Sequence, residues 1–107
     1  MKIWLDDLRN PKDYKGFEDY KWFKNPLTVI KFIKMNYVTH ISFDNDLGFF
    51  KNNKEIQGFN VAEVFEEMAF NKTLKHFPEW NIHSANPKGK KNIEYAMKNA
   101  EKYFNKI

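Results

Sequence analysis

Two pairs of acidic residues stand where runs that are typical of buried strands end. Asp6 and Asp7 follow a short apolar run near the start, and Asp44 and Asp46 follow a longer one near the middle of the chain. Carboxylates that lie close together in a low-dielectric site repel each other, and one takes up a proton unless a cation holds them. Mg²⁺ and Mn²⁺ prefer such oxygen ligands. The pattern therefore predicts a metal site formed by Asp6, Asp7, Asp44 and Asp46.

Each of these four aspartates also has a structural interpretation. An aspartate after a strand often caps a helix or shapes a turn, and for any single one this role is about as common as a functional one. Asp46, which precedes Leu47 and Gly48, looks most like a turn residue. Four such residues after two strands favour a metal or phosphate role for the set.

A second set of polar residues follows an apolar run and leads into a predicted helix near the end of the chain. It consists of His83, Ser84, Asn86 and Lys90. Histidine is the residue type whose side chain ordinarily titrates near neutral pH, so we predict that His83 protonates a leaving oxygen. Ser84 and the free N–H groups of the helix start are predicted to bind phosphate, with Asn86 and Lys90 as further phosphate ligands. The alternatives are a buried His83, an Asn86 that caps the helix before Pro87, and a solvated Lys90.

The only arginine of the chain, Arg9, follows the first acidic pair. Its planar guanidinium binds phosphate or carboxylate through two N–H groups at once, which lysine cannot do. An exposed or acid-paired arginine is the alternative. Beside a predicted metal site we favour phosphate binding.

Composition excludes several kinds of protein. The 107 residues include no cysteine, which rules out disulfides, thiol catalysis and cysteine-based metal sites. No apolar run approaches the roughly 20 residues that span a bilayer, so we expect a cytoplasmic protein with no membrane contact. The net charge of +4 comes from lysines spread over the whole chain. We therefore expect a small anionic ligand or an RNA end as partner, without sequence-specific DNA binding.

Strands and helices alternate along the chain, which predicts a parallel sheet covered by helices. The polar stretch Lys51–Gly58 is expected to be a mobile loop, and residues 12–19 another loop. In a flavodoxin-like strand order the first and central strands are neighbours, so their terminal aspartates converge at one edge. Apolar patterns predict strands over 2–5, 20–23, 38–43 and 78–82, and helices over 26–36, around 61–68 and from about 88 onwards.

Three segments together resemble the motifs of the cyclic-phosphate-processing receiver domains. Residues 5–11 read Leu-Asp-Asp-Leu-Arg-Asn-Pro, residues 44–48 read Asp-Asn-Asp-Leu-Gly, and residues 83–87 read His-Ser-Ala-Asn-Pro. They occur in the order of the family and cover nearly the whole chain.

The resemblance implies an α/β fold: one receiver-like, flavodoxin-type domain over residues 1–107. Its parallel sheet would have about four strands with helices on both faces. Ordinary receivers continue to a fifth strand that ends in a lysine, so we expect a C-terminally shortened version here. The resemblance also implies that Asp6 and Asp7 bind Mg²⁺ and that Asp44 takes the place of the phosphoryl acceptor.

The first functional hypothesis is metal-dependent hydrolysis of a cyclic phosphate on a nucleotide or RNA end, with His83, Asp44 and Ser84 as catalytic residues. A covalent route through Asp44 stays open. A non-catalytic module that binds a phosphorylated ligand or partner is the first alternative. An atypical signalling receiver that accepts phosphate on Asp44 is the second.

Overall fold

In the computed structural model, residues 1–106 form a parallel sheet packed against α-helices. Ile107 lies outside the described residues, so the predicted domain 1–107 is described as far as Lys106. None of the helices in this part of the chain is long and apolar enough to cross a membrane. The elements are β1 (Lys2–Leu5), a 3-10 helix (Pro11–Asp13), β2 (Lys21–Phe23), α1 (Pro26–Lys34), β3 (His40–Phe43), β4 (Phe49–Lys51), β5 (Lys54–Ile56), α2 (Gly58–Phe70), β6 (Glu79–Ile82) and α3 (Pro87–Asn105).

The main sheet has the strand order β2-β1-β3-β6, with all neighbours parallel. This confirms the predicted receiver-like sheet of four strands. Leu5 lies opposite Phe43, and Phe43 lies opposite Ile82. The residues that follow these three positions therefore emerge side by side at the carboxyl edge of the sheet, which is where open α/β sheets bind ligands.

The two faces of the sheet are covered differently. Side chains such as Ile3 and Phe43 pack with all three α-helices in one hydrophobic core. On the opposite face, Trp4 is fully buried, with ring centroids 5.1 Å from Tyr14 and 5.2 Å from Phe17. We expected helices on both faces. The α-helices share one face, and the segment that contains the short 3-10 helix covers the other.

The handedness of the connections accounts for this arrangement. Crossovers between parallel strands are right-handed. The connections through α1 and α2 step across the sheet in the same direction, so both helices lie on the same face. The connection from β1 to β2 steps in the opposite direction and therefore covers the other face.

The prediction of a loop over Lys51–Gly58 is wrong, because this stretch contributes to a β-hairpin. Strands β4 and β5 pair antiparallel around Asn52 and Asn53, whose φ angles are 53° and 61°. Positive φ at both central residues is the requirement of a type I′ turn, and asparagine adopts it more readily than most residues. The pair Asn-Asn is a weaker signal than Asn-Gly, which explains why the hairpin was not predicted.

The segment after β3 is clamped by the first turns of two helices. Asn45 is buried; its backbone oxygen accepts a hydrogen bond from Gly58 N at 2.9 Å, and its Oδ1 accepts one from Phe59 N at 3.0 Å. A Cβ on Gly58 would lie 2.0 Å from the Asp44 backbone oxygen, and one on Gly89 would lie 2.5 Å from Asn45 Nδ2. Only glycine permits these approaches, which fix the backbone that carries Asp44.

Candidate metal and phosphate site

A cleft of about 460 Å³ opens at the carboxyl edge of the sheet. The loop after β1, the loop after β3 and the β4–β5 hairpin form its walls. Its lining consists of Asp6, Asp7, Leu8, Arg9, Asp44, Asp46, Gly48, Glu55 and Ala85. Carboxylates therefore dominate the cleft, and Arg9 is the one basic residue in this lining.

Three of the predicted metal ligands come together. Asp6, Asp7 and Asp44 each offer a carboxylate oxygen, and these oxygens all lie within 4.8 Å of one another. Burial raises the pKa of Asp44 from 3.8 to about 6, the charge of Asp6 adds to the increase, and Arg9 opposes it. Hard oxygen donors held in mutual repulsion suit a divalent ion such as Mg²⁺ or Mn²⁺. The residues present therefore fit a metal ion, although metal binding remains a prediction.

Asp6 also holds the cleft together. Its carboxylate is 1% exposed. Oδ1 accepts hydrogen bonds from the backbone N–H groups of Leu8 at 2.8 Å and Arg9 at 3.0 Å. Oδ2 lies 2.9 Å from His83 Nε2 and 3.3 Å from Arg9 Nε. With both oxygens engaged in this way, Asp6 has less capacity for direct coordination than Asp7 or Asp44.

Arg9 is paired with acids and faces the cleft at the same time. Nη1 donates to the His83 backbone oxygen at 2.9 Å, and Nη2 lies 3.8 Å from Asp44 Oδ1. The Trp4 indole N–H donates to the Arg9 backbone oxygen at 2.9 Å. The side chain keeps 35% of its surface exposed. Together with the contact to Asp6, these partners fix the position of Arg9, and its side chain still lines the cleft.

His83 lies behind the carboxylates and is largely buried. Since an ionised carboxylate only accepts hydrogen bonds, Nε2 carries the hydrogen that is shared with Asp6. Nδ1 lies 2.8 Å from Ser42 Oγ, and Ser42 also bonds the side-chain amide of Asn81. Burial lowers the pKa of His83, although Asp6 works in the opposite direction. Both ring nitrogens are engaged within the protein, so proton transfer to a leaving oxygen would require the ring to give up a partner.

The His83 ring stacks on Trp4, with ring centroids 3.8 Å apart and an interplanar angle of 5°. The sequence does not indicate this stack, because Trp4 and His83 lie 79 positions apart in the chain. Trp4, Ser42 and Asn81 are register partners on neighbouring strands and share one face of the sheet. A polar Ser42 inside an apolar strand was the available signal, but its partner was not visible without the register.

The remaining predicted residues form the turn that leads into α3. Ser84 Oγ accepts a hydrogen bond from Asn86 N at 3.1 Å. Asn86 caps α3 through Gly89 N at 3.0 Å and donates to both carboxylate oxygens of Asp46 at 3.2 Å. The helix-cap interpretation of Asn86 is thus confirmed, and Asp46 is tied to the turn. Their predicted phosphate and metal roles remain predictions.

Three of the predicted phosphate ligands are not part of the cleft lining, and four residues that were not predicted are. Within residues 1–106 the lining includes none of Ser84, Asn86 and Lys90, the last of which is exposed on α3. The lining residues that the sequence did not indicate are Leu8, Gly48, Glu55 and Ala85. Glu55 was missed because the hairpin that carries it was interpreted as a loop.

Comparison with models of protein families matches residues 1–99 to the cyclic-phosphate processing receiver domain. The matched region includes every residue that lines the cleft. Neither the curated proteins nor the solved structures gave a match.

We predict that Asp44→Asn stabilises the metal-free protein at neutral pH. The folded-state pKa of about 6 exceeds the ordinary 3.8. The stabilisation from protonated Asp44 is therefore complete below pH 3.8 and is lost as the pH rises through 6. The full shift corresponds to about 3 kcal/mol. Urea denaturation in EDTA should show the variant more stable than the parent at pH 7.5, by up to that amount, and nearly equal at pH 4.

Asp46→Asn is the matched control, because Asp46 is exposed and lies outside the group of three carboxylates. It should show no such dependence on pH. A stability difference for Asp44→Asn that is the same at both pH values would contradict the role of ionised Asp44.

Proposed function

The chain belongs to the family of cyclic-phosphate-processing receiver domains, and on this premise we propose that it hydrolyses a cyclic phosphate on a nucleotide or an RNA end with the help of a divalent metal ion. The observation that carries the proposal is the group Asp6, Asp7 and Asp44 beside Arg9 in one cleft. Acidic ligands for a cation and a fixed guanidinium are the two elements that phosphate chemistry needs.

The carboxylates have different tasks in this proposal. Asp7 and Asp44 are the main ligands for Mg²⁺ or Mn²⁺, with Asp6 behind them. Bound metal would supply Lewis acidity toward the phosphoryl oxygens. Among residues 1–106 Asp7 takes part in no hydrogen bond or ion pair within the chain. It is therefore the carboxylate that is most available for coordination.

Arg9 stabilises the charge that develops on the phosphate. Its Nη2 lies near Asp44 and its side chain lines the cleft, so a phosphate beside the carboxylates meets the guanidinium directly. The fixed position of the group matters, because a preorganised donor needs no reorganisation during the reaction.

His83 has a positioning role in this proposal. Its Nε2–H donates to Asp6 Oδ2, and the Trp4 stack and the Ser42 contact hold the ring in that orientation. The ring thereby orients Asp6 and the Arg9 loop. Proton donation by His83 itself, which the sequence predicts, would break this contact, so the leaving oxygen more readily takes its proton from water.

A binding module is the second candidate function, and one observation favours it. Among residues 1–106, the cleft lining contains no general acid apart from its carboxyl groups: Arg9 does not release its proton, and both nitrogens of His83 are occupied inside the protein. A site of this kind binds a phosphorylated ligand without turning it over. The phospho-accepting receiver is a further alternative, because Asp44 directly follows the central strand β3 and lines the cleft.

A measurement of turnover distinguishes the three candidate functions, which are hydrolysis, ligand binding and phosphate acceptance. The purified protein is incubated with Mn²⁺ and a panel of 2′,3′- and 3′,5′-cyclic phosphates, and opened products are detected by chromatography. We expect opening of at least one ring, with loss of at least about 100-fold of the rate in Asp44→Ala and complete loss in EDTA. Saturable binding without product would favour the module, and label transfer from acetyl phosphate to Asp44 would favour the receiver.

We further predict that Arg9→Lys weakens phosphate binding despite the conserved charge. The guanidinium contacts Asp6, Asp44 and the His83 oxygen together, and a single ammonium cannot reproduce this fork. Loss of one charge-assisted hydrogen bond corresponds to about a tenfold or larger loss of affinity. Calorimetric titration of the Mg²⁺-loaded protein with a cyclic phosphate measures it.

Lys34→Ala serves as the control for Arg9→Lys, because Lys34 is exposed at the end of α1 and is not part of the described cleft lining. It should leave the affinity unchanged. Equal affinities of Arg9→Lys and the parent protein would remove Arg9 from the phosphate site.

A further inference from the structure

We propose that Leu8 and Phe50 form an apolar rim of the cleft that binds the base of a nucleoside cyclic phosphate. The inference rests on the proposed function and deepens it, because it names the part of the ligand that lies outside the phosphate. A cyclic phosphate without a base would fill the carboxylate end of the cleft and leave the rim in water.

Leu8 is presented to the cleft by a rigid loop. Its side chain lines the cleft and is 80% exposed. Its backbone N–H donates to Asp6 Oδ1 at 2.8 Å, and the next N–H, of Arg9, donates to the same oxygen at 3.0 Å. The loop is thus fixed on a buried carboxylate, and the exposed leucine has a defined position one residue from the proposed phosphate ligand.

Phe50 lies in the β4–β5 hairpin, which contributes Glu55 to the cleft lining. It is 64% exposed and pairs with Glu55 in the hairpin. Directly opposed residues of an antiparallel pair project from the same face, and Glu55 lines the cleft. Phe50 therefore lies on the face of the hairpin that borders the cleft. On the other face Phe49 packs against the hydrophobic core, which fixes the orientation of the hairpin.

The two side chains are informative together. A single exposed apolar residue is common on protein surfaces. Here Leu8 lines the cleft and Phe50 lies on the same hairpin face as Glu55, which lines it too, while the charged groups of the lining are carboxylates and one arginine. Bases stack on aromatic side chains without the need for hydrogen bonds. A ligand that matches a cleft with a charged end and an apolar rim has an anionic phosphate at one end and a planar base at the other.

Calorimetric titration of the Mg²⁺-loaded protein tests the rim with three probes: adenosine 2′,3′-cyclic phosphate, glycerol 1,2-cyclic phosphate and the open nucleotide adenosine 3′-phosphate. We expect the cyclic nucleotide to bind about tenfold more tightly than the glycerol compound, the gain of one stacked base. Phe50→Ala and Leu8→Ala should each reduce this preference and leave the affinity for the glycerol compound unchanged.

Phe70→Ala is the matched control, because Phe70 is equally exposed at 64% but lies at the end of α2, away from the cleft lining. It should change none of the affinities. A short RNA that ends in a 2′,3′-cyclic phosphate, titrated in the same way, shows whether the base of a free nucleotide or that of an RNA end is preferred.

The outcomes distinguish the rim from the proposed function. Equal affinities for the two cyclic phosphates, or variants that leave the cyclic nucleotide unaffected, would overturn the rim and point to a protein contact at Leu8 and Phe50 instead. Binding of adenosine 3′-phosphate that depends on Phe50, with no cyclic phosphate bound, would keep the rim and overturn the proposed function. Absence of binding by all three probes would overturn both.

Discussion

The carboxylate of Asp6 is the buried acceptor on which the cleft depends. A buried charge is costly unless hydrogen bonds and an opposite charge compensate for it. Asp6 obtains both, because the N–H groups of its own loop, the ring of His83 and the guanidinium of Arg9 all point at its two oxygens. The loop after β1 and the turn after β6 are thereby joined across the edge of the sheet. Loss of this carboxylate would release both segments and would leave the positive charge of Arg9 without one of its ion-pair partners.

In the same arrangement the negative charge of Asp44 is energetically unfavourable, because the side chain is buried and lies close to Asp6. Asp44 is 3% exposed and stands beside Asp6 and Asp7, and Arg9 at 3.8 Å offsets only part of the repulsion. Asn45, held by the first turns of α2 and α3, prevents the backbone that carries Asp44 from moving away. A bound cation would relieve this repulsion, and we therefore propose a metal site here rather than a purely structural cluster.

The sequence predicted those features that depend on residues close together in the chain, namely the strands and the starts of the helices. The apolar runs located β1 and β3, and Asn25-Pro26 and Asn86-Pro87 located the starts of α1 and α3. The parallel order then followed from the alternation of strands and helices, and it brought Asp6, Asp7 and Asp44 together.

Contacts between distant segments were not predictable in this way. The chain Ser42–His83–Asp6 and the stack of His83 on Trp4 join residues up to 79 positions apart and depend on strand register. The hairpin was missed because its polar residues resemble a loop, and with it the positions of Glu55 and Phe50. These contacts changed the role assigned to His83 from proton donor to positioning residue.

The central claim is that Asp7 and Asp44 hold a divalent cation, and Mn²⁺ binding measured by electron paramagnetic resonance tests it most directly. Asp7 is the residue to replace, because it is only partly buried and, unlike Asp6, it does not hold neighbouring loops through hydrogen bonds within residues 1–106. We expect one saturable Mn²⁺ per chain, retained in Asp13→Asn, whose side chain is exposed and is not part of the described cleft lining. In Asp7→Asn, which removes one charged ligand, the binding should be lost or weakened at least about tenfold. Mn²⁺ that binds Asp7→Asn as tightly as the parent protein, or no saturable binding by the parent, would contradict it.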